Sequence, residues 1–305
     1  MSTVRVAFTS TISDSGLAQL IQTAYGIKTG NTLVQVGSGG SGAVLNTGRQ
    51  GLADVVFAHQ RVGEFVFLAE RYSLLRQWAF YNYFVIVGPA SGPISGTDVL
   101  SFINAMNTNW KSGTNNVTFV SRGPNGMSGT YVRELQLWNR AGLIRPAPVV
   151  SPGPGIIEAS GGAIATLEDM DALIQKGTPN VYTLIDIATF YKYTVVNSST
   201  SLTILTSNFT ADTCALNQYV AMPINSGACL PSGTTINTAG AQDFLNWLSD
   251  ITAGGGQATI NSFKPDSVHQ GFWWNATPIA PVVPTNEQSP SDVCLIKAVP
   301  EIWEG

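Results

Sequence analysis

Leu33-Val34-Gln35-Val36, Gly37-Ser38-Gly39-Gly40-Ser41-Gly42, a helix-like run from Ala43 to Arg49, and then Ala53-Asp54-Val55-Val56-Phe57-Ala58 follow one another in the first fifth of the chain. The last segment is apolar almost without interruption, as in a strand covered on both faces of a parallel sheet. Strand, glycine-rich turn, short helix and buried strand form a βαβ unit, which predicts an α/β fold.

The same rhythm extends both ways. Upstream, the strand Thr3-Val4-Arg5-Val6-Ala7-Phe8 meets the turn Thr9-Ser10-Thr11 and a helix from about Ser15 to Thr23, with Leu17, Leu20 and Ile21 on one face. Downstream, the aromatic run Trp78 to Phe84 leads into Phe84-Val85-Ile86-Val87, which stops at Gly88-Pro89. A second set follows: helix Asp98 to Asn107, strand Val117 to Val120, helices Tyr131 to Ala141 and Ile164 to Gln175, and strand Val181 to Ile185. Leu202 to Leu205 begins the return, and the strand Leu216 to Pro223 with the amphipathic helix Ala239 to Thr252 completes the first set.

A chain of 305 residues exceeds the usual size of one core, so two lobes are expected. The first comprises 1–87 plus 201–305, including the C-terminal tail, and the second 88–200. Two crossings, near Gly88 and Thr194 to Thr200, would make a hinge.

Charged residues are only 11% of the chain and the net charge is −4, which argues against a nucleic-acid partner, since a phosphate backbone recruits clustered Lys and Arg. No apolar stretch reaches the ~20 residues that span a bilayer. Strand sequence starts at once after Met1, the pattern of an expression start at a mature boundary, so an extracytoplasmic protein whose signal peptide has been removed is expected. Of Cys214, Cys229 and Cys294, the first two flank a strand too long for them to bond each other. If a disulfide forms, Cys294 is the expected common partner; three free thiols are the alternative. Sequons at Asn116, Asn197, Asn208 and Asn275 are about what the composition yields by chance and assign no compartment.

Three turns rich in glycine and hydroxyls each leave a strand and enter a helix: Thr9-Ser10-Thr11, Gly37-Ser38-Gly39, and Ser121-Arg122-Gly123 followed by Ser128-Gly129-Thr130. A helix start presents unpaired N–H groups and the positive end of its dipole, so converging starts can hold an oxyanion in a nearly neutral cradle, with Arg122 as its one full charge. Blander roles exist for each part. Thr11, Ser13 or Asp14 can cap the following helix, Gly37 to Gly42 can be a plain turn, Arg122 can pair with Glu134 or Glu158, and His59 can simply pack. Enzyme signatures are absent: two His, no Cys-x-x-Cys, no His-Glu-x-x-His, no Gly-Lys-Ser/Thr loop and no nucleophile elbow. No cofactor is expected.

These motifs, together with Asp14-Ser15-Gly16-Leu17, Ala53-Asp54-Val55 with His59, Asn82 to Pro89, Glu134 to Trp138, Tyr182-Thr183-Leu184 with Asp186 and Asn217-Gln218-Tyr219-Val220, resemble the extracytoplasmic tungstate-binding proteins of ABC importers. The resemblance spans roughly residues 3 to 264. It implies a two-lobed type II periplasmic-binding-protein fold, each lobe a mixed sheet flanked by helices, that closes on a tetrahedral oxyanion, tungstate or molybdate. The implied ligand residues are Thr9, Ser10, Thr11, Ser38 and Gly39 from the first lobe and Arg122, Ser128, Gly129 and Thr130 from the second. It further implies an ABC-importer permease as partner and a monomeric protein. A secreted binding or sensing protein of the same fold with a different small ligand is the alternative.

Overall fold

A computed structural model describes residues 2–124, 128–149 and 154–274. They form two compact units. The first holds 2–82, 128–129 and 218–274, and the second holds 83–124, 130–149 and 154–217.

The first unit opens with β1 (Thr3–Thr9), α1 (Ser10–Asp14), α2 (Leu17–Thr29), β2 (Thr32–Gly39), α3 (Ser41–Arg49), β3 (Val55–Ala58) and α4 (Arg61–Ala69). The strand β4 (Gln77–Pro89) starts there and from Tyr83 onward belongs to the second unit. That unit continues through α5 (Val99–Ser112), β5 (Val117–Ser121), α6 (Gly129–Arg140), β6 (Gly155–Glu158), α7 (Ala163–Gln175), β7 (Asn180–Asp186), α8 (Ile187–Val196) and β8 (Leu202–Ile204). The strand β9 (Leu216–Pro223) returns the chain to the first unit, which ends in α9 (Thr238–Ser249), α10 (Gly256–Ser262) and β10 (Trp273–Trp274). Residues 83–87 and 201–217, expected with the first lobe, thus cluster with the second unit, and the chain passes between units inside β4 and β9. The expected tail from residue 275 on, with Cys294 and Asn275, lies outside the described residues. Cys214 is disulfide-bonded and Cys229 is an exposed free thiol, so the alternative of three free thiols falls.

In the first unit β1 pairs in parallel with β2 and with β3, and β3 pairs antiparallel with β9. The central β3 is buried on both faces. Val56 and Ala58 meet Val44, Leu45, Phe67 and Met222 on one side. Phe57 stands on the other, with ring centroids 5.0 Å from Phe8, 6.0 Å from Phe80 and 6.1 Å from Phe244. This is the environment its unbroken apolar sequence dictates. In the second unit β4 lies between β8 and β7, antiparallel to both, and β5 pairs in parallel with β7 and β6. Phe84, Ile86, Phe102, Phe119, Trp138, Tyr182 and Leu184 are among the residues that fill its core.

Three local readings differ from expectation. The segment Gly37 to Gly42 is not a loop: β2 runs through Gly39, Gly40 is the N-cap and α3 begins at Ser41. Gly48 explains how closely α3 can sit, because a Cβ there would meet Ile224 and Phe67 at 2.8 and 2.9 Å. Second, Asp14 does not cap α2. It ends the short α1, and the α2 N-cap is Gly16 at φ 91, in the left-handed region that glycine enters freely. Third, α4, β6 and α8 were not anticipated.

Asp54 ties the start of β3 to two other segments. Fully buried, it accepts the backbone N–H of Arg5 at 2.8 Å, the Arg5 Nη2 at 2.6 Å and the backbone N–H of Asn237 at 2.8 Å. The Arg5 side chain is 31% exposed, so the ion pair itself is partly screened, and what losing the carboxylate leaves behind is chiefly the unpaired backbone N–H groups of Arg5 and Asn237, at ~1 to 3 kcal/mol for an unsatisfied buried group. Asp54→Ala is therefore expected to lower the unfolding free energy by about that amount in urea titrations, and a loss under ~1 kcal/mol would contradict this role.

Candidate functional site

In the first unit the register sets Phe8 beside Ser38 and Thr9 beside Gly39, so two turns emerge side by side at the carboxyl ends of parallel strands. Ligands of open α/β sheets bind at that edge. The two helices that start there, α1 after Thr9 and α3 after Gly40, have no side-chain cap. Gln60, Asp98, Asp186 and Asn237 cap α4, α5, α8 and α9 by their side chains, whereas α2, α7 and α10 start at glycine N-caps and, like α1 and α3, have none. Thr9 is fully buried, and its Oγ1 has no hydrogen-bond partner among the described residues. Ser10 is half-buried, Thr11 is buried one residue further into α1, and Ser38 is exposed.

Ser128 and Gly129 also belong to this unit, with Ser128 buried and Gly129 the first residue of α6. A Cβ on Gly129 would stand 2.7 Å from both Cε1 and Nε2 of His59. His59 follows β3, donates its backbone N–H to Ser41 Oγ at 3.1 Å, and stacks on Tyr219 at 4.9 Å between centroids. Sequence reasoning gave His59 only a packing role. The signal that places it beside Gly129 is tertiary: it sits one residue past the end of β3, the strand that neighbours β1.

In the second unit Arg122 follows β5 and is 7% exposed, and Thr130 is equally well buried on α6. Glu134, a candidate partner for Arg122, is engaged otherwise. It accepts Ser121 Oγ–H at 2.6 Å on one oxygen and Arg145 Nε–H at 2.6 Å on the other. Complete burial pushes the Glu134 carboxyl up from its ordinary range, against the pull of Arg145.

The carboxylates that could have entered the turns have structural duties. Asp54 immediately precedes β3, at the end opposite His59, and is held by Arg5 and Asn237. Asp186 caps α8, accepting the Thr189 N–H at 2.9 Å and the Thr189 hydroxyl at 2.7 Å. Among the described residues no group of three or more His, Cys, Asp or Glu is placed to hold a metal ion. No helix among them is long and apolar enough to cross a membrane.

The profile of the PBP superfamily domain matches residues 2–250. The tungstate-binding protein TupA of Peptoclostridium acidaminophilum is 30% identical over 246 residues, covering 80% of this chain and 76% of that protein. Among solved structures, the tungstate-binding protein TupA from Desulfovibrio alaskensis G20 superposes with a TM-score of 0.69 at 26% identity, covering 91% of this chain and 100% of that one. The tungstate ABC transporter structure from Geobacter sulfurreducens gives a TM-score of 0.66 at 26% identity, over 86% and 98% of the two chains. With these relatives and the α/β architecture described above, the chain belongs to the PBP superfamily and, within it, to the tungstate- and molybdate-binding family.

Proposed function

We propose that this protein binds a fully deprotonated tetrahedral oxyanion, tungstate or molybdate, outside the cytoplasm and presents it to an ABC-importer permease; it is a binding protein and not an enzyme. The observation that carries the reading is the buried Thr9 hydroxyl without a partner beside two helix starts without side-chain caps. A buried donor left unsatisfied costs ~1 to 3 kcal/mol, so its persistence is accounted for by a ligand that completes it. The helix amides of α1 and α3 supply further donors and a positive dipole end.

In this reading Thr9, Ser10, Thr11, Ser38 and Gly39 bind from one lobe, with Arg122 and Thr130 from the other and the Ser128-Gly129 turn between them. A ligand that touches both lobes stabilises a shut arrangement over an open one and so drives closure. The disulfide at Cys214 agrees with an oxidising, extracytoplasmic setting. The protein acts as a monomer with one small anion.

Ligand choice follows from proton inventory. Monohydrogen phosphate carries a proton and rewards a carboxylate acceptor, whereas tungstate and molybdate reward donors only. Asp54 and Asp186 are committed to structural bonds, and the reading takes hydroxyls, amides and the Arg122 guanidinium as the ligand groups, with Glu158, whose side chain lies beside Gly123, as the one carboxylate next to a turn.

Competition calorimetry at pH 7 is expected to rank tungstate and molybdate above phosphate; tighter phosphate binding would overturn the donor-only site. Thr9→Val makes a sharper test. It removes one ligand donor and one unsatisfied buried hydroxyl together, so affinity should fall about tenfold or more while the ligand-free melting temperature holds or rises. Reduced melting temperature with unchanged affinity would take Thr9 out of the site. For Arg122→Ala, loss of a charge-assisted bond predicts a weakening of roughly 10- to 100-fold, and equal affinity would exclude Arg122. Small-angle scattering should show the radius of gyration shrinking at saturation, and an identical profile would sink the closure.

A further inference from the structure

We infer that His59 is a positioning residue for the oxyanion, its imidazole acting as the seat for Gly129 while its backbone secures the start of α3; the inference rests on the functional reading above. Position 129 is glycine for a steric reason. Gly129 is absent from the glycines with positive φ, so its backbone is open to any residue. The obstacle is His59: a Cβ would meet Cε1 and Nε2 at 2.7 Å, below the separation real side chains tolerate, and Cδ2 at a tight 3.0 Å.

The ring has little room to retreat. It stacks on Tyr219 at 4.9 Å with an interplanar angle of 16°, and Tyr219 is fully buried and stacked in turn on Phe80 at 5.0 Å. Its backbone is also tethered, through the bond from His59 N–H to the fully buried Ser41 Oγ. Ser41 is the first residue of α3, so one residue links two helix starts. Ser128 and Thr130 flank Gly129, and any outward shift at 129 carries both hydroxyls with it. Misplacing donors by a fraction of an ångström to an ångström is enough to weaken a preorganised site.

The test is a double-mutant cycle of Gly129→Ala, His59→Ala and the double variant, with tungstate affinity read by calorimetry and ligand-free melting read in parallel. Gly129→Ala should weaken tungstate binding about tenfold or more, and adding His59→Ala should recover at least about fivefold of that loss, because the ring no longer opposes the methyl group. His59→Ala alone, which adds no atoms and tests the seat even if Gly129→Ala does not fold, should weaken binding by roughly three- to tenfold. Independent, multiplicative effects of the two substitutions on affinity would overturn the inference, as would unchanged affinity in His59→Ala. If the wild-type protein binds no tungstate, the functional reading fails and the melting cycle still decides the seat: additive shifts in melting temperature overturn it, and a Gly129→Ala loss relieved by His59→Ala upholds it.

Discussion

Backbone N–H groups at the first turn of a helix have no partner within the helix, and a protein must satisfy them with a cap, water or a ligand. At the carboxyl edge of β1 and β2 this chain places two such turns side by side, follows them with glycine and small hydroxyl residues, and gives them no side-chain cap. With charged residues at only 11% and a negative net charge, anion capture cannot depend on the general field of the molecule. In the proposed reading it depends on local donors and dipoles, and on giving Asp54 and Glu134 other duties. Asp54 therefore belongs at the far end of β3, tied to Arg5, and Glu134 is held by Ser121 and Arg145.

An uncompleted set of donors is tolerable only on a scaffold with stability to spare. In the first unit the aromatic cluster of Phe8, Phe57, Phe80 and Phe244, continued by Tyr25 and Trp247, fills one face of the sheet, and Val44 and Leu45 of α3 with Phe67 of α4 fill the other. Burying a single large aromatic stabilises by ~1.5 to 3 kcal/mol, comparable to what one unsatisfied hydroxyl such as Thr9 gives up. An unsatisfied hydroxyl at the edge and surplus in the core are two sides of one design.

Much of this was legible from local pattern. The unbroken apolar run of β3, the helix periodicity of α7 and α9, and the hydroxyl-rich ends of β1 and β2 declare themselves in sequence. Other parts were hidden for identifiable reasons. In α4, the buried Glu64 is matched by Arg76, a pairing that local periodicity reads as surface. Helix α8 follows β7 with no break except its own N-cap, Asp186, and buries residues on most of its circumference, so period alone merges it with the strand. Gly37 to Gly42 looked like a loop because glycine propensity is poor in both regular states, whereas close packing of α3 favours the small residues. His59 escaped because its partners, Tyr219 and Gly129, lie far along the chain, where spacing carries no signal.

Anomalous X-ray scattering from crystals grown with tungstate tests the central claim most directly, since tungsten marks its own position. A single strong peak is expected within hydrogen-bonding distance of the Thr9 hydroxyl and the first amides of α1 and α3, with the Ser128-Gly129 turn at its side. A tungsten site away from the carboxyl ends of β1 and β2, or no ordered site at saturating tungstate, would contradict a binding site built from these helix starts.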